Sequence, residues 1–287
     1  MGYKKLSNEQ EIQIVEEYKQ GISCKVLMNK YGFKTQKSIT DKIRKHFPEE
    51  YDQIIELGQY NRKKYHYNME KINNEFDAYF LGLLLTDGYV SLGNDKKKRH
   101  QVGIDLVDKD CISFLSKSIG KEYSRYESYQ KDKFNQKTRY RLILESEELI
   151  NNLQRFGVVP RKSKTLQSPQ LTCQEERFLP YIIRGIIDGD GTVSPTSYGS
   201  AQFRIVTASI DFAQWLRYVL TNKMYMIDIS ISTRLDNRFE NSTTLYSVGS
   251  ADQGNIQKLI ALSYNKPFGM MRKYNQITET FRDYNQD

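Results

Sequence analysis

Residues 80–88 read Phe-Leu-Gly-Leu-Leu-Leu-Thr-Asp-Gly, and residues 183–191 read Ile-Arg-Gly-Ile-Ile-Asp-Gly-Asp-Gly. Each stretch is an apolar run typical of a buried helix, with a glycine in its third position and an Asp-Gly pair at its end. The corresponding carboxylates belong to Asp87 and Asp190. A motif repeated at an interval of about one hundred residues indicates two copies of one structural unit. We therefore expect two matched halves, each with one acid at the end of a helix.

The glycines in the third positions, Gly82 and Gly185, predict how the two helices meet. A glycine inside a helix costs about 1 kcal/mol relative to alanine. Its presence in both copies indicates that the helices cross with their backbones in close contact. Such a crossing brings Asp87 and Asp190 together at the same end of the helix pair.

Two neighbouring carboxylates at helix C-termini are unfavourable, because the helix dipoles and the mutual repulsion both oppose negative charge. A divalent cation removes both penalties, and oxygen ligands suit Mg²⁺ or a related ion such as Mn²⁺. With phosphate oxygens as further ligands, this site is suited to phosphodiester hydrolysis. The alternative is that each Asp-Gly pair is an ordinary turn, but the repetition favours a metal site. Asp188 has Leu85 as its counterpart, and we interpret it as a structural residue or one that supports the ligands, and not as a metal ligand itself.

The composition narrows the function classes. A net charge of +8 on 287 residues favours a polyanionic partner, although it also fits simple solubility. Three cysteines without CxxC spacing and three histidines without HExxH spacing argue against a disulfide framework and a zinc hydrolase. The sequence has neither a signal peptide nor an apolar run long enough to cross a membrane. We expect a soluble protein in the cytoplasm of a bacterium or phage host, or in another reducing compartment.

Residues 1–47 read as three short helices, in which Ser7, Ser23 and Thr35 are candidate caps. The last two helices resemble a helix-turn-helix module, whose exposed face carries Lys37, Thr40 and Arg44 as candidate DNA contacts. A protein-interaction domain is the alternative. Residues 48–74 are predicted to be a basic-aromatic linker. Its Arg62, Lys63 and Lys64 form either a strap that contacts phosphates or an ordinary solvated segment.

Residues 75–168 and 169–287 each repeat the order helix, two strands, helix, two strands, helix. Alternating side chains mark the strands as two-faced. The fold class is therefore α+β, with two pseudo-symmetric αββαββα repeats that form a β-saddle around the central helix pair. Basic and polar side chains of the hairpin loop and the strands are candidates for DNA contacts, with arginine suited to guanine and glutamine to adenine. They are Lys97, Arg125, Arg139, Arg141, Gln202, Arg204 and Arg234.

These motifs and this repeat resemble the two-repeat, monomeric LAGLIDADG homing endonucleases. The second copy matches the family signature over Gly185–Gly191 with Ile186 in place of leucine, and the first copy departs from it at Leu85. The resemblance implies that Asp87 and Asp190 coordinate the divalent metal. It also implies a basic residue that stabilises developing charge near each site. Lys162 and Lys273 lie at parallel places in the repeats, with Lys266 as a competitor. The resemblance further implies a glutamine or an acid after the second strand of each repeat; Asp108 is the candidate in the first copy, and the second copy has no acidic or amide counterpart.

The resulting prediction is a monomeric, Mg²⁺-dependent endonuclease that cuts both strands of a specific double-stranded DNA site, encoded by a mobile element. Because the chain begins at Met1 and lacks the terminal residues typical of inteins, we expect a freestanding or intron-encoded enzyme. Two other hypotheses stay open. One is a transcription regulator that kept the fold and lost the chemistry, and the other is an RNA-binding intron maturase.

Overall fold

The computed structural model describes residues 6–63, 67–93, 99–128, 137–195, 201–236 and 242–282. The chain divides into two compact units, residues 1–66 and residues 67–287. Within the described ranges, no helix is both long and apolar enough to cross a membrane.

The N-terminal unit consists of the helices α1 (Asn8–Lys19), α2 (Cys24–Tyr31), α3 (Lys37–His46) and α4 (Tyr51–Lys63). Ser7 begins α1 with a capping box, and Ser23 caps α2. Glu11 of α1 is buried and accepts hydrogen bonds from Lys42, Lys45 and His46 of α3. Burial alone would raise the pKa of Glu11, but these three donors lower it to about 2. The ion cluster therefore fixes α1 against α3.

The structure corrects the predicted linker, because residues 51–63 form helix α4. Ile54 is buried in the core of the N-terminal unit, and Tyr51 and Ile55 pack against that core. These residues recur at helical spacing, so burying their shared face stabilises a fourth helix. Residues 67–74 of the predicted linker belong to the second unit, in which Met69 and Ile72 are buried.

Residues 67–287 contain two copies of one element order. In the first copy, α5 (Glu75–Thr86) is followed by β1 (Gly88–Ser91), β2 (Gln101–Leu106), α6 (Lys109–Ile119), β3 (Ser124–Ser128), β4 (Lys137–Leu144) and α7 (Glu147–Gln154). The second copy begins with a short helix α8 (Cys173–Glu176) and continues with α9 (Leu179–Asp190), β5 (Gly191–Pro195), β6 (Ala201–Thr207), α10 (Ile210–Tyr218), β7 (Ser230–Asp236), β8 (Thr243–Ser250), α11 (Gln253–Ser263) and α12 (Met271–Arg282). The predicted α+β class and the αββαββα order are confirmed.

The two four-stranded sheets have the same topology. The strand order is β1-β2-β4-β3 in the first sheet and β5-β6-β8-β7 in the second, and all neighbouring strands are antiparallel. The matching register, in which Gly88 pairs with Ile104 and Gly191 pairs with Ile205, makes each position in one sheet equivalent to one in the other.

Each sheet has one face covered by helices and one open face. In β2, Val102 and Ile104 are buried, so the neighbouring Asp105 points to the open face. In β6, Phe203 and Ile205 are buried, and Arg204 between them is exposed. Because successive side chains of a strand alternate, the register then assigns every strand residue to one of the two faces.

The two motif helices α5 and α9 pack directly against each other. A Cβ atom on Gly82 would lie 2.8 Å from the Cα of Gly185, and a Cβ on Gly185 would lie 2.9 Å from the Cα of Gly82. Real Cβ atoms do not approach backbone atoms so closely, so any larger residue would push the helices apart. The helix pair therefore brings its two C-termini to the same place.

Candidate active site and nucleic-acid interface

Asp87 and Asp190 lie at the ends of the paired helices. Asp87 caps α5 and donates its backbone N–H to the carbonyl of Leu83 at 2.9 Å, while Asp190 is the last residue of α9. A Cβ on Gly189 would lie 3.0 Å from Oδ2 of Asp87, so the first carboxylate extends to the end of the second helix. Both side chains are exposed to solvent, which leaves them open to a ligand.

The surroundings of both acids favour their protonated forms. Burial by the surrounding protein raises the pKa of Asp87 to about 6, and repulsion from Asp190 adds to the shift. Burial also raises the pKa of Asp190, while Lys162 and Lys273 oppose the change. Solvent reaches both side chains and weakens these effects, but the direction is upward for both. A cation between the carboxylates would stabilise their charged forms.

A buried lysine binds backbone carbonyls on either side of each acid. The Lys162 Nζ donates to the carbonyl of Gly88 at 2.5 Å and to that of Thr86 at 3.3 Å. The Lys273 Nζ donates to the carbonyl of Ile187 at 2.9 Å and to that of Gly191. Each cation thus compensates the negative end of a motif helix.

Both lysine side chains are buried, and this burial affects their pKa values. Their exposed fractions are 5% for Lys162 and 9% for Lys273. Burial lowers the pKa of Lys162 to about 8, although Asp190 and Asp87 oppose the shift. Burial lowers the pKa of Lys273 as well. With a pKa of about 8, Lys162 remains largely protonated at neutral pH, and the charges of Asp87 and Asp190 oppose the lowering of the pKa of Lys273. The competing candidate Lys266 instead pairs with Glu75, at the opposite end of α5.

Asp188 has the structural surroundings that its unmatched position predicted. It is 1% exposed and accepts hydrogen bonds from the hydroxyls of Tyr79 at 2.8 Å and Tyr264 at 2.7 Å. Its neighbour Arg184 is fully buried, stacks on Phe268 at 3.7 Å and donates to three backbone carbonyls before α12. This internal cation was not predicted, because the sequence of an isolated helix does not show which loop will cover an arginine.

Each lysine segment is anchored by the opposite repeat. Asp108, at the start of α6, forms a bidentate ion pair with Arg272 at 3.0 and 3.1 Å, next to Lys273. At the equivalent position, the hydroxyl of Ser209 donates to the carbonyl of Leu166 at 2.6 Å, in the segment that follows Lys162. The structure therefore assigns Asp108 an anchoring contact, which sequence reasoning missed because its partner is 164 residues away.

The strand register sorts the predicted DNA contacts. The open faces carry five of the six strand residues, namely Arg139, Arg141, Gln202, Arg204 and Arg234. The prediction for Arg125 is wrong. Arg125 pairs with Tyr140, whose side chain lies on the same face as the buried Leu142. Arg125 therefore lies on the helix-covered face, beside Glu127. A one-residue change in register moves a side chain to the other face, and the sequence alone did not fix it.

The predicted contacts outside the sheets are only partly described. Lys37 and Arg44 are exposed on α3, and Arg44 stacks on Tyr51 at 4.6 Å. The Thr40 hydroxyl donates to the carbonyl of Lys37 within the same helix. The side chains of Arg62 and Lys63, and the residues Lys64 and Lys97, lie outside the described part of the chain.

The donor set at the helix ends fits a hard divalent cation. Two carboxylates with raised pKa values end the paired helices, and two ammonium groups bind the backbone carbonyls next to them. Among the described residues, no group of three His, Cys, Asp or Glu side chains could hold a metal. A cation bound by Asp87 and Asp190 would therefore take its other ligands from water and from a substrate.

No family model and no curated protein matches the chain. Among solved structures it is similar to the homing endonuclease I-WcaI bound to its DNA recognition sequence (9% identity, TM-score 0.49, covering 75% of this chain and 92% of that one). It is also similar to the LAGLIDADG meganuclease I-AabMI bound to uncleaved DNA (12%, 0.43, 74% and 91%). A third is the N-terminal LAGLIDADG domain of DUF199/WhiA (14%, 0.42, 75% and 94%).

Proposed function

We propose that the chain is a site-specific endonuclease of the LAGLIDADG type, which hydrolyses one phosphodiester in each strand of duplex DNA with a divalent metal ion. The supporting observation is the duplicated site, in which each motif helix ends at an acid and each end is held by a buried lysine. A protein that only binds DNA gains nothing from two acids placed where helix dipoles and mutual repulsion both oppose them.

The two acids and the two lysines have different roles in the proposed reaction. Asp87 and Asp190 hold the cation, Mg²⁺ or Mn²⁺, which when bound neutralises developing phosphate charge and lowers the pKa of attacking water. Lys162 and Lys273 hold the helix ends rigid through the neighbouring carbonyls. An ammonium has three donors, and two are used by each lysine among the described residues. The third is suited to a phosphate oxygen, which is how these lysines would act in catalysis.

DNA would lie across the open faces of the two sheets. Five predicted contacts project from these faces, and arginine and glutamine side chains suit base edges in the major groove. In the N-terminal unit, Lys37, Thr40 and Arg44 of α3 would add contacts to the same duplex. The net charge of +8 is consistent with attraction to phosphates.

Cleavage of a randomised duplex library tests the proposal. The purified protein is incubated with Mg²⁺ or with EDTA, and the ends produced are sequenced. We expect Mg²⁺-dependent ends clustered on one long site. Asp190→Asn should abolish the ends and leave DNA affinity equal or higher. Asp211→Asn, an exposed aspartate in the first turn of α10, is the matched control and should cut like the original protein.

The other outcomes identify the alternatives. Sequence-specific enrichment without ends would contradict cleavage and favour a DNA-binding regulator, a candidate supported by the separate helical unit at the N-terminus. Binding of structured RNA in preference to duplex DNA would favour an intron maturase. Loss of DNA binding in Asp190→Asn would show that the residue is structural.

A further inference from the structure

One acidic residue lies in the middle of the open face of the first sheet. Asp105 accepts hydrogen bonds from Nε of Arg139 at 3.1 Å and from Nε and Nη2 of Arg141 at 3.1 and 2.8 Å. The hydroxyl of Tyr126 also donates to it, and Arg141 stacks on the Tyr126 ring at 4.5 Å. A carboxylate repels phosphates, so its presence on this face indicates a role other than binding the DNA backbone.

The hydrogen bonds fix the direction of both guanidinium groups. Arg141 uses its Nε–Nη2 edge on the Asp105 carboxylate, and Arg139 places Nε on the carboxylate and Nη2 on the Asp105 carbonyl. The ends that carry Nη1 remain directed away from Asp105, and the side chains keep exposed fractions of 35% and 38%. Nη2 of Arg141 also donates to the hydroxyl of Tyr126 at 2.9 Å, so Nη1 is its outward donor. Guanidinium groups held in one orientation can donate hydrogen bonds to O6 and N7 of guanine.

The second sheet lacks this arrangement. The matching registers make Val206 equivalent to Asp105, Ser247 equivalent to Arg141, and Leu245 equivalent to Arg139. Val206 and Leu245 are apolar and suit the methyl group of thymine, and none of these three residues carries a negative charge that could hold an arginine in place. The two halves of the molecule therefore present different chemistry at the same place on their sheets.

We propose that Asp105 is a specificity-determining residue, which orients Arg139 and Arg141 to read guanines in one half of an asymmetric duplex DNA site. The inference rests on the proposed binding of duplex DNA. Asp105 itself acts through the two arginines and does not contact the bases. The second half-site has no guanine requirement at the equivalent step.

Binding selection in EDTA tests this inference without cleavage. The protein, Asp105→Asn and Glu127→Gln are each incubated with a randomised duplex library, and bound DNA is sequenced. Glu127→Gln is a matched control, because it removes one negative charge and one arginine partner from the same sheet but on the helix-covered face. Thermal unfolding of each variant confirms that it is folded.

The original protein and Glu127→Gln should select guanine in one half of the site. In Asp105→Asn this preference should fall by about 10- to 100-fold, the usual contribution of one or two oriented pairs. Its affinity for unrelated duplex DNA should stay equal or rise, since a negative charge is removed. Arg141→Lys keeps the charge but loses the planar guanidinium that Asp105 orients, so it should also lose the preference.

Three results would overturn the inference. Unchanged guanine selection in Asp105→Asn would show that the arginines are oriented without it. Loss of a cytosine preference would show that Asp105 reads a base directly. Sequence-specific binding without any guanine preference would refute the inference alone, whereas no binding of duplex DNA by the original protein would refute the proposed function as well.

Discussion

Replacing Glu175 by glutamine tests how much a buried carboxylate stabilises the N-terminal ends of the two motif helices, which lie opposite the ends that carry Asp87 and Asp190. Glu175 is 3% exposed, and its carboxylate accepts from Arg155 at 2.6 and 3.1 Å. It also accepts from the backbone N–H of Ile72, just before α5, at 3.0 Å and from that of Thr172 at 2.9 Å. One buried carboxylate therefore links three parts of the chain: the segment before α5, the segment before α9, and the C-terminal end of α7.

The pKa of Glu175 gives the magnitude. Burial alone would raise this pKa, but the hydrogen bonds from Arg155, Thr172 and Ile72 outweigh it and lower the value from 4.5 to about 2. Such a shift corresponds to at most about 3 kcal/mol of stability. Because the Arg155 side chain is 30% exposed, we expect about 2 kcal/mol in practice. For a unit of this size that loss lowers the melting temperature by about 4–8 °C.

The pH dependence has a definite sign. The folded-state pKa lies below the unfolded value of 4.5, so the stabilisation is fully present above pH 4.5 and is lost as the pH falls through about 2. Urea unfolding of Glu175→Gln should therefore show the full loss at neutral pH. At about pH 3, the difference in the free energy of unfolding between Glu175→Gln and the original protein should be less than half of its value at neutral pH.

The neighbouring Glu176 provides the control. It pairs with Lys223 at 2.8 Å, but both side chains are about one-third exposed. Glu176→Gln should change stability by less than about 1 kcal/mol. If the two glutamine variants were equally stable at neutral pH, or if the Glu175→Gln loss did not depend on pH, the reasoning from burial and charge would be wrong.

Three further predictions concern the active site. Gly185→Ala should lose about 1–3 kcal/mol of stability by separating α5 from α9, whereas Gly254→Ala, in α11 near only the Asp252 side chain at 3.1 Å, should be neutral or stabilising in urea unfolding. Asp87→Asn should abolish cleavage in a plasmid assay without weakening DNA binding; weaker binding would contradict its role. Asp108→Asn should weaken the anchoring of Arg272 and slow the cleavage of one DNA strand more than that of the other, so that nicked DNA accumulates. The charge-swapped double variant, Asp108→Arg with Arg272→Asp, should restore equal cleavage of the two strands.

Local patterns predicted most of the fold. The repeated order of helices and strands was predicted for both halves, and the duplicated glycines predicted the close crossing that the backbone contacts display. Helix α12 was not predicted, because among its described residues Ile277 is the one buried apolar side chain. Its remaining buried residue is Lys273, whose inward direction is set by carbonyls that lie more than eighty residues earlier in the chain.

The candidate site was predictable only where it is repeated. Two copies of the acid and of the lysine can be found by comparing the halves of the sequence, and the structure places all four groups at the joined helix ends. Asp105 occurs in one half only and carries no such signal. Alternation with Val102, Ile104 and Leu106 would have placed it on the open face, but its arginine partners depend on the pairing of β2 with β4.

The charge balance at the helix ends explains why this site should depend on a cation. Two carboxylates and two ammonium groups cancel, and the lysines already serve the carbonyls of α5 and α9. Each helix end still contributes roughly half a negative charge. A duplex adds phosphate charges next to these carboxylates and helix ends. The acids would therefore repel the substrate unless a divalent ion joins carboxylate and phosphate oxygens, and replacing one acid by its amide should relieve the repulsion while removing the ligand.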